Sequence, residues 1–373
     1  MKRIGIDARL INQTGVGVYI RNLLHYLDTS SNDSEYYVYS YPQDFDKIPS
    51  KIRIVKRAAP YRWHSTTEQS HFLRVLYSDK LDLMHFTYFS FPYLYLRPFV
   101  ITIHDLTPLL FKTGQATTLP APLFHIKHAV YQHVLGRGIK KSKHVIVPSE
   151  AVRSSILHYF GKKYKDKVVV TNEGIDFELQ KMKADDTIFS SVNKFLNKSP
   201  YFLYIGNSYP HKNVEKLLRA FAKTTISMKL ILVGPKDFFS DSITKLIEKL
   251  DLTDRVVQLF NISQQKKIAL FKNAHALVQP SLAEGFGLPV VESQYFGCPV
   301  IASRIPVFDE ILHERTLRFD PYNQESIQKT LTQAAREKLT KPVLDTKRFS
   351  FENMTKKTQQ IYLHNVILKE RSD

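Results

Sequence analysis

Short, continuous runs of apolar residues alternate with longer helical patterns along this chain, and the series occurs twice. Strands with this unbroken apolar character are buried on both faces, as in parallel sheets covered by helices. The predicted strands are RIGID, YYVYS, IRIV, DLMHF, FVITIHD, HVIVPS and KVVVTNEG in the first series, and YFLYIGN, KLILVG, RVVQLF, HALVQPS and PVIAS in the second. The predicted helices lie at 17–28, 66–79, 121–140, 149–160, 213–223, 240–250, 263–273 and 288–297. The pattern predicts two α/β halves.

The length of the chain supports this division. Its 373 residues exceed the size at which a single hydrophobic core usually stops growing. Residues 181–200 contain no strand pattern and end in Ser-Pro, so we predict a linker there. This gives an N-terminal domain at 1–180 and a C-terminal domain at 201–352. The tail at 349–368 is amphipathic and predicts a final helix.

The net charge of +18 suits phosphate-rich ligands or an anionic membrane surface, although a solvated basic surface explains it equally. No basic arm typical of nucleic-acid binding stands out. The single Cys298 excludes an intrachain disulfide and a cysteine-based zinc site. The chain starts with a strand pattern and has no apolar run of about 18 residues. We expect a cytoplasmic protein, with peripheral contact to the inner face of the membrane as an option.

Glycines and polar residues follow two predicted strands of the first half. Gly15 and Gly17 lie between the first strand and a helix, where glycines let backbone amides approach an anion. A tight turn is the alternative. His104 and Asp105 close a wholly apolar strand, a position that often points into a cleft. His104 could donate a hydrogen bond or a proton near neutral pH, or the two residues could form a structural pair.

A lysine follows the first strand of the second half. Lys212 precedes a predicted helix, with Asn213 as the expected N-cap. The helix dipole disfavours a cation at this position, which is understandable if a phosphate lies between them. The alternative is a solvated lysine.

The segment EGFGLPVVESQYFGCPVIAS contains two glutamates, Glu284 and Glu292, separated by a glycine-rich turn. Amides of Gly285, Phe286, Gly287 and Leu288 at the start of a helix would face a diphosphate. Glu284 would then accept hydrogen bonds from sugar hydroxyls, and Glu292 would bind a ribose diol. The alternative is that Glu284 caps a loop and Glu292 only offsets the helix dipole. Hydroxyls, diphosphate and ribose in this order match a nucleotide sugar.

Four segments resemble those of a known family: QTGVGVYI, IHDLTPLLF, YIGNSYPHKN and EGFGLPVVE. They are similar to the retaining GT-B glycosyltransferases of the large bacterial mannosyltransferase-like family, called glycosyltransferase family 4 or glycosyl transferases group 1. The resemblance covers nearly the whole second half, but the first half matches mainly at Gly15, Gly17, His104 and Asp105. It implies two Rossmann-like domains facing each other across a cleft, with the C-terminal helix at 353–373 packing back on the N-terminal domain.

The resemblance also implies roles for individual residues. Glu284 contacts the transferred sugar, Glu292 binds the ribose, and Lys212 neutralises the diphosphate. His104 lies over the reacting sugar, while Gly15 and Gly17 line the cleft. The backbones of Gly285, Phe286, Gly287 and Leu288 approach the donor. Many members have Arg at the position of Asn207, so a second cation is missing here, and Arg304 or Arg9 are the candidates to replace it.

We therefore expect a retaining hexosyltransferase with a nucleotide-sugar donor, GDP-mannose as the first choice, and a glycan or lipid-linked acceptor. Lysine clusters within 136–143 and 162–167 suggest contact with anionic headgroups, solvated surface being the default interpretation. No cofactor or metal is expected, because Lys212 and helix N-termini can stabilise the leaving group. Asp44 and Asp46 resemble a D-x-D metal site, and a solvated acidic loop is the simpler interpretation. The alternatives are a GT-B epimerase or hydrolase, and a non-catalytic phosphate or nucleic-acid binder.

Overall fold

The computed structural model describes residues 1–27, 33–110 and 121–370. They form two compact units. The first unit contains the described residues up to Asp176 and the segment from Thr346 onwards, and the second unit runs from Phe177 to Asp345. Each unit is described separately below.

The first unit is built on a seven-stranded sheet in which every pair of neighbouring strands is parallel. Its order is β3-β2-β1-β4-β5-β6-β7. The strands are β1 (Lys2–Asp7), β2 (Ser34–Ser40), β3 (Ile54–Ala58), β4 (Leu83–Phe86), β5 (Phe99–Thr102), β6 (Val145–Val147) and β7 (Val168–Val170). The helices are α1 (Gly15–Tyr26), α2 (Leu73–Ser78), α3 (Thr107–Leu110), α4 (Ala121–Lys141), α5 (Glu150–Phe160) and α14 (Phe351–Glu370).

The C-terminal helix α14 packs in the first unit, against α1 and β4. Buried polar contacts fix its position. Tyr362 meets Nδ1 of His85 at 2.5 Å, and Gln359 donates to the hydroxyl of Tyr36 at 3.1 Å. His85 lies on β4 and Tyr36 on β2, so these contacts attach α14 to two strands of the first sheet that are far from it in sequence. The expected return of the final helix to the N-terminal domain is confirmed.

The second unit is built on a six-stranded parallel sheet of order β10-β9-β8-β11-β12-β13. Its strands are β8 (Tyr201–Ile205), β9 (Lys229–Gly234), β10 (Val256–Phe260), β11 (Ala276–Gln279), β12 (Val300–Ser303) and β13 (Arg318–Phe319). Its helices are α6 (Phe177–Lys181), α7 (Ile188–Leu196), α8 (Val214–Ala222), α9 (Phe238–Lys249), α10 (Gln264–Asn273), α11 (Leu288–Tyr295), α12 (Pro306–Ile311) and α13 (Gln324–Arg336).

Residues 181–200, which we predicted as a linker, lie within the second unit and contain α7. Ile188, Val192 and Leu196 recur every four residues on this helix and are all buried. Such spacing places them on one face, which packs inside the unit. This segment is therefore part of the folded second unit.

Side-chain caps define the starts of several helices. Ser149 accepts a hydrogen bond from the amide of Val152 at the start of α5, and Ser263 accepts one from Lys266 at the start of α10. At α9, Asp237 and Ser240 cap each other reciprocally. Each cap satisfies amides that have no partner within the helix.

Among the described residues, no helix combines the length and apolar character that crossing a membrane requires.

Candidate functional site

The strand order of the second sheet brings two predicted loops together. The first strand, β8, lies between β9 and β11, so the connections leaving β8 and β11 diverge at this point of the sheet. Ligands of open parallel sheets bind beyond the carboxyl ends of the strands at such a switch point. The loop after β8 carries Lys212, and the loop after β11 carries Glu284.

Lys212 and Glu284 form a direct ion pair. Nζ of Lys212 donates to both carboxylate oxygens of Glu284, at 2.7 and 2.8 Å. The hydroxyl of Ser281 and the side-chain amide of Gln279 donate to Oε1 of the same carboxylate, at 2.7 and 3.3 Å. Only 10% of the Glu284 side chain is exposed, so this is a carboxylate with dense hydrogen bonding.

The charged form of Glu284 is favoured by these donors. Burial acts to raise its pKa, but the charge of Lys212, its hydrogen bonds to Lys212 and Ser281, and the charge of His211 together lower the pKa below the ordinary value. Glu284 is therefore ionised at neutral pH and can only accept hydrogen bonds. This agrees with a residue that binds hydroxyl groups.

Backbone and amide contacts hold the two loops together. The amide of Leu282 donates to the carbonyl of His211 at 2.8 Å. The side-chain nitrogen of Asn213 donates to the carbonyls of Pro280 and Pro321, at 3.1 and 2.9 Å. Asn213 precedes α8 as predicted, but it has left-handed backbone angles and its side chain makes no capping hydrogen bond. The prediction of a side-chain cap was wrong, because this amide joins three loops instead.

The glycine-rich turn leads into α11, which begins at Leu288 as predicted. Gly287 has φ +96°, in the left-handed region, and a Cβ atom there would lie 2.8 Å from the ring of Phe308. Only glycine satisfies both requirements. Gly285 and Phe286 are buried next to this turn. The backbone of the predicted donor-binding turn is thus tightly constrained.

Glu292 lies in α11, where it is buried and paired with a lysine. Nζ of Lys267, on α10, donates to Oε2 of Glu292 at 2.9 Å. The side chains of Lys267 and Glu292 are 13% and 9% exposed. Lys267 is a residue that sequence reasoning missed.

Asn207 supplies no positive charge, and its own contacts are local. Its carbonyl accepts a hydrogen bond from the hydroxyl of Tyr204 at 2.6 Å. Of the two proposed substitutes, Arg9 is excluded. It is buried in the first unit, where it pairs with Asp7 at 2.7 Å and with Glu68 at 2.8 Å. Arg304 directly follows β12 and is exposed, so it remains the candidate.

In the first unit, Gly15 and Gly17 follow β1 at the start of α1. A Cβ atom at Gly17 would lie 2.5 Å from the carbonyl oxygen of Ile11, so close backbone packing requires glycine there. A Cβ atom at Gly15 would meet no atom within 4 Å. Packing therefore explains why residue 17 is a glycine, but it does not explain the glycine at position 15.

His104 follows β5 in the first unit, and both of its ring nitrogens face oxygen atoms. Nε2 lies 3.0 Å from the carbonyl oxygen of Thr87, and Nδ1 lies 3.4 Å from Oε1 of Glu173. The ring of Tyr19 approaches edge-on, with centroids 4.9 Å apart. Asp105 accepts a hydrogen bond from the amide of Thr107 at 2.7 Å, immediately before α3 begins. His104 is thus oriented by three neighbours, of which Glu173 was not foreseen.

The carboxylate of Asp44 is nearly buried and already has partners. It accepts a hydrogen bond from Asn12 at 2.5 Å and lies 3.4 Å from Nζ of Lys47. No group of three or more His, Cys, Asp or Glu side chains in the described parts of the chain is arranged to hold a metal ion. The D-x-D resemblance therefore lies in a 3₁₀ helix, Pro42–Lys47, where the carboxylate of Asp44 serves local structure.

Two family models match the chain. Residues 13–179 match the model described as Glycosyltransferase Family 4, and residues 185–349 match Glycosyl transferases group 1. The solved structure of a sucrose-phosphate synthase from Thermosynechococcus elongatus has a TM-score of 0.71 at 18% identity, covering 98% of this chain and 99% of that one. With two parallel α/β units, this likeness defines a GT-B fold, and the predicted fold class is confirmed. The chain belongs to the family 4, or group 1, glycosyltransferases.

Two curated relatives refine the comparison. The O-antigen chain mannosyltransferase RfbU of Salmonella typhimurium is 32% identical over 241 residues, which cover 63% of this chain and 60% of that protein. The O-antigen chain mannosyltransferase B of Escherichia coli is 25% identical over 282 residues, covering 72% of this chain and 74% of that protein. The match to the first relative thus spans less than two thirds of its length.

Proposed function

We propose that this chain is a mannosyltransferase that moves mannose from GDP-mannose to a glycan or lipid-linked glycan acceptor. In this proposal the anomeric configuration is retained and no metal ion takes part. The observation that carries it is the convergence of Lys212, Glu284 and the turn at Gly285–Leu288 beyond the carboxyl ends of β8 and β11. A cation, a hydrogen-bond acceptor and a helix N-terminus are the groups that a sugar diphosphate needs.

The chemistry of transfer explains why these groups matter. Glycosyl transfer passes through an oxocarbenium-like state while negative charge grows on the departing diphosphate. Fixed cations and amides stabilise such charge when they are held in place before the reaction. Lys212 is held by Glu284, and Gly287 holds the turn in one conformation. In our proposal Glu284 binds hydroxyls of the transferred mannose, and Glu292, oriented by Lys267, binds the ribose.

The choice of mannose rests on the two relatives whose names describe O-antigen chain mannosyltransferases. The first test is a thermal-shift comparison of GDP-mannose with UDP-glucose, ADP-glucose and dTDP-glucose. A ligand at about 100 times its Kd stabilises a protein by about 2.7 kcal/mol, which is measurable. We expect GDP-mannose to give the largest shift. Stabilisation by a UDP sugar alone would overturn the donor assignment.

The second test measures transfer with radiolabelled GDP-mannose and mannosyl oligosaccharide acceptors, followed by NMR of the product linkage. We expect a retained, α-configured product. Release of free mannose in the absence of acceptor, with no transfer in its presence, would indicate a hydrolase instead. An inverted product would contradict retention.

Metal independence is tested by transfer in excess EDTA, with and without added Mn²⁺. We expect equal rates, because the leaving diphosphate is stabilised by Lys212 and backbone amides. The Asp44→Asn variant provides the control for the D-x-D resemblance, and its rate should follow that of the wild type. A rate that EDTA abolishes and Mn²⁺ restores would refute this part of the proposal.

We also propose that the first unit contacts an anionic membrane through a basic patch, defined as Lys140, Lys141, Lys143, Lys165 and Lys167. The two predicted lysine segments adjoin, because Nζ of Lys167 donates to the carbonyl of Lys140 at 2.9 Å. Exposed leucines lie in the loop before β5, with Leu94 61% and Leu96 72% exposed. Arg137 on α4 donates to the carbonyl of Tyr93 in that same loop, at 3.2 Å.

Flotation with phosphatidylglycerol-containing vesicles tests the membrane contact. We expect binding that falls as salt rises, because exposed charges separated by more than about 10 Å are screened at 0.1 M salt. Replacing Lys140 and Lys141 with Glu should weaken binding, while Lys216→Glu, in the second unit, should not. Binding that is equally strong to neutral vesicles and insensitive to salt would contradict the electrostatic contact.

A further inference from the structure

We propose that Glu173 is a positioning residue for His104, which keeps a proton on Nδ1 and fixes the ring against the carbonyl of Thr87. The inference rests on the proposed function, in which His104 serves sugar transfer. It concerns the geometry of the first unit alone and can be tested there by a readout that needs no donor.

The orientation of the ring determines the state of Nε2. This nitrogen lies 3.0 Å from the carbonyl oxygen of Thr87. A carbonyl oxygen can only accept, so Nε2 must carry a hydrogen and donate. In a neutral imidazole, Nδ1 would then be the acceptor nitrogen.

That arrangement conflicts with the group facing Nδ1. Oε1 of Glu173 lies 3.4 Å away, and an ionised carboxylate only accepts. Two acceptors facing each other repel, and a proton on Nδ1 removes this repulsion. With a proton on Nδ1, the ring becomes an imidazolium with both nitrogens facing an acceptor. His104 is then a cation held in one orientation, and both of its N–H groups already point at acceptors of the protein.

Burial strengthens the requirement. The side chains of His104 and Glu173 are 11% and 6% exposed, and in the described residues the only ion pair of Glu173 is with His104. A buried carboxylate without a charged partner is costly, and a positive charge on His104 offsets the negative charge of Glu173. The partner must come from His104.

The other groups around the ring do not supply or remove this proton. Burial raises the pKa of Tyr19, whose ring edge contacts His104, so it stays neutral. Burial raises the pKa of Tyr88, whose ring lies 6.4 Å away, with the same result. Burial, and then the charge of His104, lower the pKa of His85 to about 3, which leaves that ring uncharged. Asp105, next in the chain, bonds the amide of Thr107.

The test combines ¹⁵N NMR of the histidine ring with kinetics. The His104 signals are assigned by their loss in His104→Gln. In the wild type at neutral pH, both ring nitrogens should have protonated shifts. In Glu173→Gln, Nδ1 should show the shift of an unprotonated nitrogen, and Glu173→Asp should restore part of the wild-type signal. Glu150→Gln, an exposed carboxylate of the same unit, is the matched control and should change nothing.

Transfer rates supply the functional arm. Glu173→Gln should lower kcat by about 10- to 100-fold with little change in the donor KM, as expected when His104 loses its charged partner. Unchanged His104 signals in a folded Glu173→Gln protein would overturn the proposal, and so would an altered signal with an unchanged kcat. If the wild type transfers no sugar at all, the proposed function fails, while the NMR comparison still decides whether Glu173 positions His104.

Discussion

Lys212 donates hydrogen bonds to both carboxylate oxygens of Glu284, which is 72 residues away in sequence. We expect Lys212→Met and Glu284→Gln each to lower kcat/KM by about two orders of magnitude or more, since in the proposed mechanism each removes a group fixed for the transition state. Each should also lower the free energy of unfolding by about 1.5–3 kcal/mol, the usual contribution of a hydrogen bond to a charged group.

The Lys212→Met/Glu284→Gln double variant measures the interaction energy between the two side chains. Because the two side chains contact each other, its unfolding free energy should fall by less than the sum of the single losses. Glu215 and Arg219 form an exposed pair on α8 and provide the control. Their substitution should change stability by about 0.3–0.5 kcal/mol. Additive losses for Lys212 and Glu284 would show that the ion pair makes no contribution.

The pH dependence of stability follows from the direction of the Glu284 pKa. This pKa is lowered from its ordinary value of 4.5, with burial opposing the effect of Lys212 and Ser281. The stabilisation by ionised Glu284 is therefore fully present above pH 4.5 and is lost as the pH falls through the lower folded-state pKa. Urea unfolding of wild type and Glu284→Gln across this range should show a difference that shrinks with acid. A stability difference between wild type and Glu284→Gln that grows on acidification would contradict a lowered pKa of Glu284.

The alternation of apolar runs and helical patterns was sufficient to predict twelve of the thirteen strands found in the described residues, and their parallel arrangement. The strand β13 is only two residues long, Arg318–Phe319, and has no periodicity to detect. The helix α7 was missed because its five apolar residues are interspersed with polar ones in a segment that ends in Ser-Pro. Such short elements form because of their contacts with the rest of the unit, and the local sequence pattern does not show those contacts.

The candidate site was predictable where residues follow strands directly, as Lys212 and Glu284 do. Lys267 was not, because it lies in the polar run Gln264-Gln265-Lys266-Lys267 and meets Glu292 only when α10 packs near α11. Glu173 had a detectable signal, since it lies in the predicted segment KVVVTNEG just after β7, as His104 lies in FVITIHD just after β5. Their contact, however, requires the order β5-β6-β7, which the sequence does not state.

The proposed recognition of ribose by Glu292 can be tested with modified nucleotides. We expect the wild type to bind GDP more tightly than 2′,3′-dideoxy-GDP by about 10- to 100-fold, since a charged acceptor loses its donors. Glu292→Gln should bind both nucleotides with similar, weaker affinity in calorimetry. Lys267→Arg, which keeps the positive charge beside Glu292, should retain most of the preference. A full preference in Glu292→Gln would remove this residue from ribose binding.

The backbone of the predicted donor-binding turn provides a test that is independent of catalysis. Gly287→Ala should lower the free energy of unfolding by more than about 1–2 kcal/mol, the cost of left-handed backbone for a residue with a Cβ atom. Its φ of +96° accounts for that part, and the 2.8 Å approach to Phe308 adds to it. Phe308→Leu in the Gly287→Ala background should relieve the contact but leave the backbone strain, so stability should recover only in part. Gly15→Ala is the matched control, because its added Cβ meets no atom within 4 Å. Urea unfolding that gives Gly287→Ala the stability of Gly15→Ala would show that the turn relaxes without cost, and the proposed rigid diphosphate site would lose its physical basis.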